Sequence, residues 1–174
     1  MSSFYQREEL IVENLQAVIG QQYEHEVAEC DYLIRGIDHT QKKTINQYSI
    51  ISDLGEGSFG KVQKVHVNET HEDFAMKVYS KQVLQSKKDT MVKDETTGRM
   101  VYKNYLEEIK KEIAVMKRLN STNLVKLHEV IDSPNEDKLI LIIDFCAKGE
   151  ILDWSAEANR FTPCLKDQSE FTEA

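Results

Sequence analysis

The fold of this chain is decided by one glycine-spaced stretch, Gly55-Glu56-Gly57-Ser58-Phe59-Gly60-Lys61-Val62. Three glycines at this spacing that opened a helix would suggest a dinucleotide-binding fold. Here Val62, Val65 and Val67 follow among polar residues, which favours a β-strand, and Tyr48 to Leu54 favours another strand before the glycines. The stretch therefore predicts a hairpin. Because glycine lacks a Cβ atom, the backbone of its turn can lie directly over phosphate groups.

A lysine interrupts the next apolar run, which extends from Phe74 to Tyr79 and predicts a short strand. With a period of two, Ala75, Lys77 and Tyr79 share one face of that strand. A lysine in such a strand must keep its ammonium group solvated or paired. Two interpretations follow: an edge-strand lysine whose ammonium reaches water, or a cation that reaches the α- and β-phosphates beneath the glycine hairpin.

The segment from Tyr105 to Leu119 places apolar residues at helical spacing and predicts an amphipathic helix. At about 100° per residue, Glu112 falls inside the apolar stripe of this helix. A carboxylate on the buried face needs a cation, and Lys77 is the candidate, so we expect these two side chains to form a salt bridge. The alternative is a rim glutamate paired with the neighbouring Lys110 or Lys111.

These elements, in this order, resemble the N-terminal lobe of a eukaryotic protein kinase. The matching segments are Gly55-x-Gly57-x-x-Gly60-x-Val62, Ala75-Met-Lys77, Glu112 to Leu119, Asn123 to Leu127, and Asp144 to Leu152. The resemblance implies an α+β fold, in which the helix that contains Glu112 packs on a twisted antiparallel sheet. Its five strands would span about residues 48–54, 61–68, 73–80, 127–132 and 138–144.

Among kinases, the chain is most similar to the calcium/calmodulin-dependent protein kinase kinases and related upstream kinases. The segments that carry this likeness are Ile45-Asn-Gln-Tyr48, Tyr79-Ser-Lys81, Glu112 to Leu119, and Glu129 to Asp137. The resemblance implies a serine/threonine kinase of a signalling cascade, with ATP as cofactor and another protein, such as a second kinase, as substrate. It leaves dependence on calmodulin open.

The resemblance also implies a nucleotide site, carried over at the positions that match. The loop over the phosphates would comprise Gly55, Glu56, Gly57, Ser58, Phe59 and Gly60. Lys77 would contact the phosphates and Glu112 would orient Lys77, which makes these two the catalytic residues of this lobe.

The adenine would lie among apolar residues of the strands. Val62 and Ala75 would line the base, and Ile143 would be the gatekeeper at the back of the pocket. The backbones of Asp144 and Cys146 would bind the adenine edge, and Glu150 would reach the ribose hydroxyls.

Two motifs that kinases use for chemistry do not occur in this sequence. Kinases take a base or orienting aspartate from H-R-D-x-x-x-x-N and a magnesium ligand from D-F-G. We therefore expect a kinase sequence cut short, inactive alone, that binds Mg²⁺ only with its second lobe and supplies no metal ligand itself. A pseudokinase-like interaction module is the alternative. A Rossmann oxidoreductase, with Glu72 or Asp73 as the ribose acid, is disfavoured because no βαβ spacing follows the glycines.

Composition limits the partners and the compartment. The 174 residues carry a net charge of −8, which argues against nucleic acid or an anionic membrane as partner. Three scattered cysteines, without metal or disulfide spacing, suit a reducing cytosol, and no apolar run is long enough to span a membrane. These features predict a cytoplasmic protein.

Three regions are expected along the chain. Residues 1–44 form an extension with an amphipathic helix from Leu10 to Ile19, residues 45–152 form the kinase N-lobe, and residues 153–174 begin a truncated C-lobe. The polar segment of residues 81–103 within the lobe is expected to be a mobile loop.

Overall fold

In a computed structural model, the described residues are 26–93, 96, 98–149, 152–155, 157 and 159–163. The helix predicted from Leu10 to Ile19, Glu150, and residues 164–174 of the predicted C-lobe segment lie outside them. The helices are α1 (Lys81–Ser86) and α2 (Tyr105–Met116). The strands are β1 (Ala28–Cys30), β2 (Arg35–Ile37), β3 (Lys43–Ile45), β4 (Tyr48–Gly57), β5 (Gly60–Val67), β6 (Glu72–Ser80), β7 (Met91–Lys93), β8 (Met100–Tyr102), β9 (Leu127–Asp132), β10 (Lys138–Asp144), β11 (Leu152–Ser155) and β12 (Arg160–Pro163).

Eight of these strands form one sheet, in the order β1-β9-β10-β6-β5-β4-β3-β2. The five predicted strands are confirmed as β4, β5, β6, β9 and β10, and neighbours among them pair antiparallel. The short strands β1, β2 and β3 were not predicted. β1 pairs in parallel with β9, whereas β2 and β3 extend the other side of the sheet beyond β4.

The sheet buries apolar side chains on both faces. One cluster includes Val65, Met76 and Ile140, whose side chains leave one face of the sheet. The opposite face carries a second cluster, in which the buried Leu106 and Ile113 of α2 pack against the strands. Full burial of a leucine or isoleucine contributes about 1.5–3 kcal/mol, so these contacts fix α2 on that face.

The polar segment of residues 81–103 contains regular structure where a mobile loop was expected. It begins with α1, whose N-cap is Ser80: the side-chain oxygen accepts a hydrogen bond from the Val83 amide. Asp137, from the turn between β9 and β10, accepts a hydrogen bond from the Gln82 amide at 2.7 Å. Leu84 is fully buried. A cap and a buried anchor therefore order the first turn, and β7 and β8 then form a separate two-stranded hairpin.

The chain divides into two compact units after Asp144. The eight-stranded sheet and both helices belong to the first unit. In the second unit the described residues contain the antiparallel hairpin β11–β12, where the rings of Trp154 and Phe161 meet edge to face at 5.1 Å. No helix in the described part of the chain is long and apolar enough to cross a bilayer.

Candidate functional site

The glycine-rich stretch forms the predicted hairpin. Gly57 pairs with Gly60, and Ser58 and Phe59 make a two-residue turn between β4 and β5. The register of the pair shifts twice, between Ile50 and Ser52 and between Asp53 and Gly55. Such bulges bend a strand and increase its local twist. Because the glycines lead into a strand, the hairpin excludes the helix that a dinucleotide-binding turn requires.

The three glycines of the hairpin differ in whether the structure requires glycine at their positions. A Cβ atom at Gly60 would lie 1.8 Å from the carbonyl oxygen of Val78, so β6 approaches too closely for any side chain. At Gly57 the nearest atom would be 3.9 Å away, and at Gly55 none lies within 4 Å. Among the described glycines, only Gly98 and Gly149 have positive φ angles. Neither packing nor backbone conformation in the described chain therefore requires glycine at 55 or 57.

The register places several predicted site residues on one face of the sheet. Gly55 pairs with Val62, and Val62 pairs with Lys77, so these residues form one row across β4, β5 and β6. Ala75 pairs with Ile143 of β10. Directly paired residues project to the same side of a sheet, and Ala75 and Lys77 share a face because they are two positions apart. The result is an apolar surface beside one ammonium group, on the face that α2 covers.

The predicted salt bridge between Lys77 and Glu112 is not formed in the described chain. Glu112 is exposed, and the ion pairs within α2 join Lys110 to Glu107 and Lys111 to Glu108, each at 3.5 Å. The alternative ion pair of Glu112, with Lys110 or Lys111, is therefore not formed in the described chain either. The physical reason is the seating of α2: Ile113 is buried against the sheet, and Glu112 lies about 100° around the helix from it.

A buried tyrosine lies beside Lys77. The Lys77 Nζ atom is 5.2 Å from the centroid of the Tyr79 ring. The Tyr79 hydroxyl is buried and has no hydrogen-bond partner among the described residues. Burial raises the pKa of Tyr79, the Lys77 side chain is close enough to its hydroxyl to lower it although the two form no hydrogen bond of normal geometry, and the charge of Glu112 raises it. The three groups therefore share one electrostatic environment although the two charges are not paired.

The end of β10 is fixed by a network that the sequence did not reveal. The Asp144 carboxylate accepts a hydrogen bond from the Lys126 amide at 2.8 Å and contacts His128 Nε2 at 2.6 Å. The Asp144 amide donates to the Lys126 carbonyl at 3.1 Å. Burial would raise the pKa of Asp144, but these side-chain and backbone hydrogen bonds lower it overall. No sequence motif marks His128, because its partner lies on another strand.

The remaining predicted residues lie after Asp144. Cys146 is exposed, and its carbonyl accepts a hydrogen bond from the Gly149 amide at 3.0 Å, which closes a turn. Glu150 is outside the described residues, so its predicted contact with ribose stays a prediction. Within the part of the chain that the structure describes, no group of three or more acidic, histidine or cysteine side chains could hold a metal ion.

Comparison with known families matches residues 48–168, more than half of the chain, to the protein kinase domain. The chain therefore belongs to the protein kinase family. It is 36% identical over 110 residues to a probable serine/threonine-protein kinase of Dictyostelium discoideum, a match that covers 63% of this chain and 14% of that protein.

Two further relatives give the same class. The calcium/calmodulin-dependent protein kinase kinase of Caenorhabditis elegans is 34% identical over 115 residues, covering 63% of this chain and 21% of that protein. The serine/threonine-protein kinase ssp1 of Schizosaccharomyces pombe is 34% identical over 110 residues, covering 63% and 16%. The predicted resemblance to kinases of this kind is confirmed. The chain spans at most about a fifth of the length of these three relatives.

Proposed function

We propose that residues 45–152 are the ATP-binding lobe of a serine/threonine protein kinase, which transfers the γ-phosphoryl group of ATP to a hydroxyl of another protein. The observation that carries this proposal is the row of Gly55, Val62 and Lys77. Two glycines that the described chain does not itself require leave the hairpin backbone open to a ligand, and Lys77 lies on the adjoining strand. Open backbone amides beside an ammonium group suit a triphosphate.

The apolar part of the same face suits a nucleobase. Val62 and Ala75 would contact the two faces of adenine, with Ile143 behind it. The backbones of Asp144 and Cys146 would hydrogen-bond to its edge, and Glu150 would bind ribose. The hydrogen bonds of Asp144 to Lys126, just before β9, and to His128 of β9 would hold the Asp144 backbone in place. ATP supplies the phosphoryl group; this lobe binds and orients it.

Glu112 would orient Lys77 only after a change in α2. In the structure the carboxylate is exposed, so pairing needs the helix to rotate or shift toward β6. The groups that bind Mg²⁺ and orient the acceptor hydroxyl would come from a second lobe. One relative is named a protein kinase kinase, which supports a kinase as the protein substrate of this chain.

A non-catalytic interaction module is the second candidate, in the manner of a pseudokinase. The specific observation in its favour is that Lys77 and Glu112 are not paired with each other in the described part of the chain, since active kinases need that ion pair. The two candidates differ in one measurable property, because a purely structural lobe has no need to bind nucleotide.

Titration of the 174-residue chain with a fluorescent ATP analogue tests the proposal. We expect a Kd on the order of 1 mM, about −4 kcal/mol, because this lobe supplies only part of a nucleotide pocket. Lys77→Met should weaken binding about tenfold or more, since a hydrogen bond from a charged group contributes about 1.5–3 kcal/mol.

Lys61→Met is the matched control for that titration. Lys61 lies on the same hairpin but pairs with Val78, whose side chain belongs to the cluster on the opposite face. Binding should therefore stay within about twofold of the unmodified chain. Equal effects of the two substitutions, or no binding by the unmodified chain, would contradict nucleotide binding and favour the interaction module.

A further inference from the structure

The tip of the glycine hairpin is held down by a cluster of side chains from the segment that follows β6. Phe59, at the turn, packs its ring on that of Tyr105, with centroids 4.9 Å apart and planes tilted by 39°. Lys87 places its Nζ atom 4.3 Å from the Phe59 centroid and 5.5 Å from the Tyr105 centroid. The turn residue is therefore covered by a ring and a cation, both from outside the hairpin.

Tyr105 is itself fixed from the other side. Its hydroxyl donates to Asp89 Oδ1 at 2.5 Å and lies 3.0 Å from the hydroxyl of Thr90. Asp89 also forms an ion pair with Lys87 at 3.2 Å. The hydrogen bond from Tyr105, together with Lys87, lowers the pKa of Asp89 despite the opposing effect of burial. We call the four residues Phe59, Lys87, Asp89 and Tyr105 the tip clamp.

The tip clamp joins three segments that have separate roles in the lobe. Phe59 belongs to the glycine hairpin, Lys87 and Asp89 follow α1, and Tyr105 is the first residue of α2. The carbonyl of Phe59 also accepts a hydrogen bond from the Ser80 amide at 3.3 Å. The position of the hairpin tip is thus tied both to the end of β6 and to the helix that carries Glu112.

We propose that Tyr105 is a positioning residue for the glycine loop: through the tip clamp it holds Phe59, and with it the neighbouring amides of Gly57 and Ser58, in the place where nucleotide phosphates bind. This inference rests on the proposed nucleotide binding. Fixing a loop before the ligand arrives removes part of the ordering cost of binding, so the clamp raises affinity for the phosphate part of the ligand in particular.

A merely structural role makes a different prediction. If the tip clamp only stabilised the segment of residues 81–103, its loss would leave the hairpin tip unchanged. Hydrogen exchange of the nucleotide-free chain separates the two possibilities, because it reports the opening of the tip without any ligand. The variants are Tyr105→Ala, which removes the whole clamp residue, and Tyr105→Phe, which keeps the ring but loses the bonds to Asp89 and Thr90.

Tyr102→Ala is the matched control. Tyr102 is an exposed tyrosine three positions earlier on β8, and its ring lies 5.7 Å from Lys88 Nζ rather than against the hairpin. We expect Tyr105→Ala to speed exchange of the amides of residues 57–62 about fivefold or more, since an aromatic pair and a cation–π contact are lost. Tyr105→Phe should have a smaller effect and Tyr102→Ala none.

Exchange in the core strand β10 shows whether each variant is folded. If Tyr105→Ala does not fold, Lys87→Met removes the cation of the clamp and should speed exchange of the same amides about twofold or more. Unchanged exchange of residues 57–62 in a folded Tyr105→Ala, or in Lys87→Met where that variant replaces it, would overturn the inference.

A second experiment compares the binding of ATP with the binding of adenosine. Tyr105→Ala should weaken ATP binding about fivefold and leave adenosine binding within about twofold of the unmodified chain, because only ATP carries the phosphates under the loop. Equal loss for both ligands, or tighter ATP binding, would overturn the positioning role. If the unmodified chain binds neither ligand, the nucleotide proposal fails, whereas faster exchange in Tyr105→Ala would still establish the clamp as a contact that holds the hairpin tip.

Discussion

Replacing Gly60 with alanine should destabilise the lobe, whereas the same replacement at Gly57 should not. The new Cβ atom at position 60 would lie 1.8 Å from the Val78 carbonyl oxygen, 2.8 Å from its carbon and 3.1 Å from the Tyr79 Cα atom. All three are backbone atoms of β6, which is paired on both sides and cannot turn aside. Overpacking of this kind costs about 1–3 kcal/mol, and we expect the upper end here.

The expected loss of about 3 kcal/mol corresponds to a fall in Tm of about 6–12 °C for a chain of this size. Gly57→Ala has room, since its nearest atom would be 3.9 Å away. It also reduces the conformational entropy of the unfolded chain, so the free energy of unfolding should stay the same or rise by up to about 1 kcal/mol.

Thermal denaturation followed by far-UV circular dichroism measures the Tm of both variants. ATP titration in parallel shows whether a variant that keeps its stability has lost nucleotide binding. We expect Gly57→Ala to keep its stability but to bind ATP more weakly, because a methyl group would stand between the backbone and the phosphates. A Gly60→Ala chain with the same Tm as the unmodified protein would refute this reasoning, since it would show that β6 can move away from the hairpin.

Three further predictions concern turnover, a buried hydroxyl and acid stability. The 174-residue chain should show no phosphotransfer above background in a radiolabel assay, because its sequence lacks the H-R-D and D-F-G motifs; incorporation that Lys77→Met abolishes would contradict this. Tyr79→Phe should raise the free energy of unfolding in urea by about 1 kcal/mol, since it removes a buried hydroxyl without a partner in the described chain, and a loss of stability would show that the hydroxyl is used. The pKa of Asp144 is lowered in the folded state, so its carboxylate stabilises the fold fully above the pKa of the unfolded chain and loses this effect as the pH falls through the folded pKa. Asp144→Asn should therefore flatten the fall in the free energy of unfolding below about pH 4. An unchanged pH profile would count against the network with His128.

The strands of the central sheet could be predicted because each is long enough to show its period. In β5, Val65 and Val67 are buried and His66 between them is half-buried, as a strand period of two requires. The strands β1, β2 and β3 have three residues each, too few to show alternation. β1 also depends on β9, a partner about 100 positions away in the chain, which no local pattern reveals.

Part of the candidate site was predictable for the same reason, and part was not. The common face of Ala75 and Lys77 follows from a period of two. The orientation of Glu112 depends on how α2 is seated, and seating is decided by which apolar residues the sheet accepts, here Leu106 and Ile113. The tip clamp could not be predicted from sequence, because the turn residue Phe59 meets Tyr105 only through the fold.

The parallel strand β1 has a practical consequence for how the lobe can be shortened. The match to the kinase family begins at residue 48, and a chain begun there would lose β1, β2 and β3. The six-residue β9 and the ten-residue β4 would then become the edges of the sheet, in place of strands of three residues. Long open edges are templates for pairing with another chain. We therefore expect a version trimmed to the family match to self-associate, and one that keeps residues 26–47 to remain dispersed in solution.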